Sequence, residues 1–388
     1  MPLPSASPHR PRRPRVRPRV LRGAAAACGL VLVLLAGTAC GGTGSADELP
    51  PRVGELTSGA ANASAAPSPS PSAGSPSMPR SVVPPKASDL LRPSGDYFGV
   101  STLGTPRPQE TEQVTEAAGA HPTVLEYFAN WTQEFNPAQV DESWLQGAIP
   151  LLTWEPSGGS HAVDQRDYTL ARIADGDFDA YITRFAAALR DERFPVVLRF
   201  AQEMNSNWYP WTEANGGNTA AGFVTAWRHV HDLFANVGAT NVIWLWSPNV
   251  LRGTAREPLA DFYPGDAYVD WVGLDAYGLG ESTAGEVLDQ SVGQITAFTR
   301  KPLLIAETGA EPGAEQAPWT ASLFTWLKQH RPRVIGFVWF EHSVAEGGKH
   351  DYRFTVDPAT ESAFRAGLQA LPRRPWPVWR PPSTPTPG

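Results

Sequence analysis

Cysteine is almost absent from this chain: its 388 residues include two, Cys28 and Cys40, and none lies beyond position 40. Everything downstream can therefore form no internal disulfide and offers no thiolate metal site. Long uninterrupted apolar runs are missing as well, since the best candidate, Ala24 to Ala36, is too short for a comfortable membrane span. Positive charge is scarce after residue 40. Seven of the 32 basic residues (Arg10, Arg12, Arg13, Arg15, Arg17, Arg19 and Arg22) precede Cys40, and none of the 39 acidic residues does. The remainder carries a net charge near −14, which disfavours nucleic acid and anionic membranes as partners but not neutral polysaccharide. Glycine pairs such as Gly216-Gly217 and Gly347-Gly348 lack a phosphate-binding fingerprint. His229 and His231 stand on a helix flank without a metal-binding pattern, and His342 and His350 fall in the loop after the last strand. Neither a metal nor a cofactor is expected.

Aromatic residues, by contrast, are plentiful, with 14 Trp, 9 Tyr and 16 Phe. They suit the gripping of sugar rings, and cores use them too. The N-terminal arginines, the short apolar core and the small residues before Cys40 have the order of an export signal over residues 1–39. Leu35-Ala36-Gly37-Thr38-Ala39-Cys40 resembles a bacterial lipobox, with Gly37 where leucine is usual, and implies lipidation at Cys40. The expected location is secreted, or lipid-anchored on the outer face of a bacterial membrane. Residues 40–94 are rich in Ala, Ser, Pro and Gly without apolar periodicity, the composition of a disordered tether. Asn62-Ala63-Ser64 matches a glycosylation sequon that a bacterial origin would make incidental. Residues 373–388 form a proline-rich tail that either lies over the surface or is mobile.

From residue 95 to 372, short apolar runs alternate with helical patterns. The candidate strands are Tyr97–Ser101, Thr123–Phe128, Ala148–Thr153, Val196–Ala201, Val242–Ser247, Trp271–Asp275, Leu303–Ala306 and Ile335–Phe340. Among the helices, Asp177 is placed to cap one whose face carries Phe178, Tyr181, Ile182, Phe185 and Leu189. Another carries Phe223, Trp227, Val230 and Phe234. The helices after the second and fifth strands are weak. Eight such repeats predict an α/β fold, a (β/α)8 TIM barrel, as one catalytic domain and a monomer.

Two of the strands run into carboxylates, the fourth at Gln202-Glu203 and the seventh at Glu307. A parallel barrel gathers such strand ends on one rim, and two carboxylates there are what glycosidic hydrolysis needs. Arg199 either holds a carboxylate in its ionised form or completes an interior ion pair. Asn205 either binds a hydroxyl or shapes the turn. Trp154 and Trp246 are stacking residues or core, and Asp275 and Glu341 are rival carboxylates: Asp275 is expected to orient the loop before Tyr277, while Glu341 has reach towards a distal subsite.

RFAQEMNSNWYPW, IAETG and YVDWVGLDAYG resemble the fourth, seventh and sixth strand motifs of glycoside hydrolase family 26, a clan A family known for endo-β-1,4-mannanases. The likeness covers the barrel, not the leader or tether. It implies that Glu203 is the general acid/base, that Glu307 is the nucleophile, and that Tyr277 hydrogen-bonds the nucleophile. It also implies that Trp208 lies near the cleavage point and that Trp339 forms a platform under the sugar. The family usually has histidine before the acid/base; Gln202 departs from that and puts substrate preference in question. The expected activity is retaining endo-hydrolysis of β-1,4-mannan. A β-glucan or β-1,3-xylan specificity, or a catalytically silent carbohydrate-binding protein, are the alternatives.

Overall fold

The computed structural model describes residues 78–79, 81–160, 162–252 and 258–380. The export signal, Cys40, the sequon, most of the tether and the last eight residues lie outside the described residues.

The eight apolar runs form the strands β1 (Tyr97–Ser101), β2 (Val124–Asn130), β3 (Ile149–Glu155), β4 (Val196–Phe200), β5 (Val242–Trp246), β6 (Trp271–Gly278), β7 (Leu303–Ala310) and β8 (Val334–Phe340). They pair in chain order, all parallel, and β8 returns to β1 to close a barrel. Full closure explains the apolar runs. Every residue of β1, β4, β5, β6, β7 and β8 is buried, because one face meets the barrel interior and the other the surrounding helices.

The helices are α1 (Pro108–Ala118), α2 (Pro137–Leu145), α3 (Leu170–Ala174), α4 (Asp179–Glu192), α5 (Ala220–Asn236), α6 (Ala284–Phe298), α7 (Gln316–Gln329) and α8 (Pro358–Ala370). Between β5 and β6 the described residues hold only a 3-10 turn, Leu259–Phe262, at one of the two repeats that read as weak. Along α5, Phe223, Trp227, Val230 and Phe234 are buried as their spacing predicts. In α4, Ile182, Phe185 and Leu189 are buried, but Phe178 and Tyr181 only partly. Asp177 does not cap that helix. Its carboxylate accepts from Arg172 Nε at 2.6 Å instead, and the residue at the cap position is Phe178.

The described part of the tail lies over the surface. Val378 donates its backbone N–H to the Gly147 carbonyl at 2.9 Å, Trp376 stacks on His121 at 3.8 Å between centroids, and Trp379 packs on Trp144 and Phe194. His121, Gly147 and Phe194 precede β2, β3 and β4, so this segment covers the end of the barrel opposite the strand C-termini.

The β1–β8 seam has no room for a side chain at Gly336, whose φ is 148° and whose Cβ would sit 2.2 Å from the Tyr97 carbonyl oxygen. Gly336→Ala is expected to destabilise the fold by about 2 kcal/mol or more, read by urea unfolding. A loss under about 0.5 kcal/mol would mean that the seam yields freely.

Candidate active site

Glu307 does not follow the end of a strand; it lies inside β7. The β6–β7 ladder pairs Leu274 with Ile305 and then Asp275 with Glu307, leaving Ala306 over. One extra residue in a strand reverses which face the next side chain takes. This bulge sets Glu307 opposite Asp275. β6 likewise continues past Asp275 to carry Tyr277, whose hydroxyl donates to Glu307 Oε1 at 2.5 Å.

Glu203 reaches the same rim by a different device. β4 ends at Phe200, and Ala201 and Glu203 adopt the left-handed conformation, with φ of 48° and 53°. That costs a residue with a Cβ about 1–2 kcal/mol. The chain stays tied to the barrel nonetheless, because Ala201 N–H donates to the Trp154 carbonyl and Glu203 N–H to the Ser247 carbonyl at 2.7 Å. The strain turns the Glu203 carboxyl towards Trp208 and Asn249. Trp208 Nε1 donates to its Oε2 at 2.7 Å, and Asn249 Nδ2 donates to its Oε1.

The two glutamates therefore differ in what holds them. Both are almost fully buried, Glu203 at 1% exposure and Glu307 at 4%. Arg199 Nη1 donates to Glu307 Oε2 at 3.0 Å, so Glu307 has a cation on one oxygen and a phenol on the other. Such partners stabilise negative charge. The donors to Glu203 among the described residues, Trp208 and Asn249, are both neutral. Burial raises its pKa well above the usual carboxylate range, and the charges of Asp275 and Glu307 push it the same way. Burial also raises the Tyr277 phenol far above its ordinary value, with the Glu307 charge adding to the shift, so it stays protonated and donating.

Beneath this rim, the barrel interior holds a charged layer centred on Arg199, which is fully buried. Arg199 pairs with Glu126 of β2, Asp275 of β6 and Glu307 of β7. Ser247 donates to the other oxygen of Asp275 at 2.8 Å. The expected loop between Asp275 and Tyr277 is absent, because β6 runs through both residues to Gly278, and the Asp275 carboxylate serves Arg199 and Ser247 instead.

Several other residues are placed differently from what their sequence position suggests. Trp154 is fully buried outside the barrel, stacked on Phe185 of α4 at 4.5 Å between centroids. Strand alternation explains it, because Thr153 takes the inward direction and donates to Glu126. Trp339 is likewise buried outside, between Trp319 of α7 and Phe364 of α8, with its indole N–H on the Tyr352 carbonyl. It is no platform for a sugar. Phe340, one residue on, packs with Tyr277 and Tyr352 instead. Trp246 is core, with its N–H on the Phe262 carbonyl. Arg199, at 0% exposure, lies under the carboxylates rather than against a substrate. Asn205 has both ends of its amide engaged with the Asn249 backbone at 2.9 Å, so it shapes the loop that holds Glu203. Gln202 is buried and gives its Nε2 to Glu155 at 2.8 Å. Glu341 accepts from Phe354 N–H and from Thr355 at both N–H and hydroxyl, a staple for the loop before α8 and no distal subsite. His229 bonds Asp179, His350 pairs with Glu311, and His342 bonds Ser101.

Sequence reasoning passed over Glu126, Thr153, Ser247 and Asn249. For Glu126 a signal existed: a carboxylate inside the apolar run Val124–Phe128 requires a partner. Among the described residues no group of three or more His, Cys, Asp or Glu is arranged to hold a metal ion.

A family model for glycosyl hydrolase family 26 matches residues 122–314, a span that includes Glu203 and Glu307 but neither β1 nor β8. Endoglucanase H of Acetivibrio thermocellus is 31% identical over 292 residues, which is 71% of this chain and 31% of that protein. The chain thus spans about a third of that relative's length. Mannan endo-1,4-β-mannosidase of Bacillus subtilis is 25% identical over 272 residues, 62% of this chain and 72% of that one. Among solved structures, a modular endo-β-1,4-mannanase from Cellulomonas fimi shares the fold with a TM-score of 0.56 at 19% identity, covering 74% of each chain. With strands β2 to β7 and both rim glutamates inside the matched span, the chain belongs to glycosyl hydrolase family 26.

Proposed function

We propose that this chain is a retaining endo-acting glycoside hydrolase that cleaves β-1,4-mannosidic linkages in mannan-type polysaccharides. The observation that carries the reading is the unequal treatment of two neighbouring buried carboxyls. Glu307, held by Arg199 and Tyr277, is equipped to act as an anion, and Glu203, among neutral donors, to keep a proton. In the first step Glu307 attacks the anomeric carbon while Glu203 gives its proton to the departing oxygen. In the second, Glu203 takes a proton from water, and the hydroxide formed displaces Glu307 with net retention. In this reading Trp208, bonded to Glu203, meets the sugar ring next to the cleaved bond. The export leader and tether read from the sequence extend the proposal to a polysaccharide met outside the membrane, with the protein secreted or anchored through Cys40.

A β-glucan specificity is the second reading. It is favoured by the likeness to Endoglucanase H across 71% of the chain and by Gln202 in place of the family's histidine. Reducing-end release from mannan, mixed-linkage glucan and 1,3-xylan tests both. New ends from mannan alone support the first, new ends from glucan alone replace it with the second, and binding without new ends overturns both. The active substrate should also give a kcat/KM that falls as pH rises through the Glu203 pKa, because the free enzyme needs that carboxyl protonated. A fall beginning in the ordinary carboxylate range, near pH 4–5, would contradict this role for Glu203.

A further inference from the structure

Arg199 Nη1 carries two hydrogens yet has three oxygens within reach: Glu307 Oε2 at 3.0 Å, Glu126 Oε1 at 3.1 Å and Thr153 Oγ1 at 3.2 Å. Its Nη2 is given to Asp275. One buried cation thus faces carboxylates from β2, β6 and β7, and in a water-poor interior a single positive charge does not keep three of them ionised.

The three are not held equally. Glu307 is bonded at both oxygens, by Tyr277 and Arg199, and Asp275 at both, by Ser247 and Arg199. Glu126 has both its contacts on Oε1, from Thr153 at 2.7 Å and from Arg199, while Oε2 is buried with no hydrogen-bond partner. It is the least stabilised of the three as an anion.

We propose that Glu126 is a positioning residue, held as the neutral acid in the working enzyme, so that Arg199 Nη1 is left to Glu307. Ionising Glu126 draws that nitrogen towards β2 and loosens its hold on the attacking carboxylate. The link to catalysis rests on Glu307 being the nucleophile; the place of the proton does not. Burial pushes Glu126 up to about 8 against the opposing pull of Arg199, with Glu307 and Asp275 adding to the rise, and burial pushes Asp275 up to about 7. On the β1 side, Ser101 stands in register with Glu126 and bonds His342, which burial lowers to about 4 and which is therefore neutral.

Two measurements test the proposal. Infrared difference spectra between wild type and E126Q should contain a protonated carboxyl band at about pH 6 that disappears by about pH 9–10. Labelling of Glu307 by a 2,4-dinitrophenyl 2-deoxy-2-fluoro-β-mannoside needs no proton from Glu203, because the leaving group departs as its anion. Its rate should fall several-fold over that same range in wild type and stay level in E126Q. A missing band at about pH 6, or E126Q falling in step with wild type, overturns the proposal. Should E126Q fail to fold, Thr153→Val removes the other donor to Oε1 and should move the disappearance of the band to higher pH; an unmoved band counts against it. A band with no labelling at any pH, by this mannoside or by its β-glucoside counterpart, would remove the glycosidase reading and the link to Glu307 while leaving the proton on Glu126.

Discussion

Glu307→Gln is expected to lower kcat by about 10⁴-fold or more while polysaccharide binding persists. The amide keeps the shape of the side chain and an acceptor for the Tyr277 hydroxyl, but it cannot form the glycosyl ester that the proposed retaining mechanism requires. Glu203→Gln should behave differently. Its loss should be large on polysaccharide, whose departing oxygen needs a proton, and much smaller on an aryl glycoside whose leaving group departs as a stable anion. Added azide should separate the roles further. In Glu203→Ala it can attack the glycosyl-enzyme and yield a glycosyl azide of retained configuration, whereas in Glu307→Ala it replaces the missing nucleophile and yields the inverted product. Proton NMR of the two azides distinguishes them. Turnover by Glu307→Gln within about tenfold of wild type, with the mutation confirmed by mass, would end the assignment. Circular dichroism and retained binding guard against a trivial loss through unfolding.

The barrel was legible because its repeating units are long and periodic. All eight strands occur where apolar runs predicted them, and the principal revision is at their C-terminal ends: β6 and β7 run three and four residues past the expected stops at Asp275 and Ala306. The reason is the bulge at Ala306, which lets β7 carry a glutamate inward and still remain a strand. Bulges depend on the neighbouring strand and leave no mark in the local sequence. The tryptophans failed for a related reason. Trp154 and Trp339 do lie at strand ends, but the parity of the strand decides between the cleft and the helical shell, and a one-residue difference reverses the answer. Asn205 and Asn249 illustrate a further limit. That two loops from β4 and β5 clasp each other to hold Glu203 is a long-range contact no local pattern records.

Arg199→Leu should cost the fold about 3–5 kcal/mol at neutral pH, because it removes the cation that pairs with Glu126, Asp275 and Glu307 in one buried layer. Leucine recovers part of the apolar packing of the arginine stem, on the order of 1–2 kcal/mol, so the charge effect should win. The pH dependence separates the two contributions. Glu126 and Asp275 have folded pKa values raised to about 8 and about 7, above the ordinary carboxylate values they regain on unfolding. A raised folded pKa contributes stability that is complete below the unfolded value and is lost as pH climbs through the folded one. Wild type should therefore weaken between about pH 4 and pH 8, and the variant should weaken more, since without Arg199 these carboxyls are harder still to ionise. The gap between the two proteins, measured by urea unfolding, should be small near pH 4–5 and widest near pH 8. Equal gaps at both values would mean that Arg199 matters for its volume and not for its charge. Arg199→Lys should fall between them, since one ammonium cannot present a planar fork to carboxylates on three strands. The charge expected to steady the barrel is then the same one proposed to ready Glu307, which would tie the stability of the interior to the chemistry proposed for its rim.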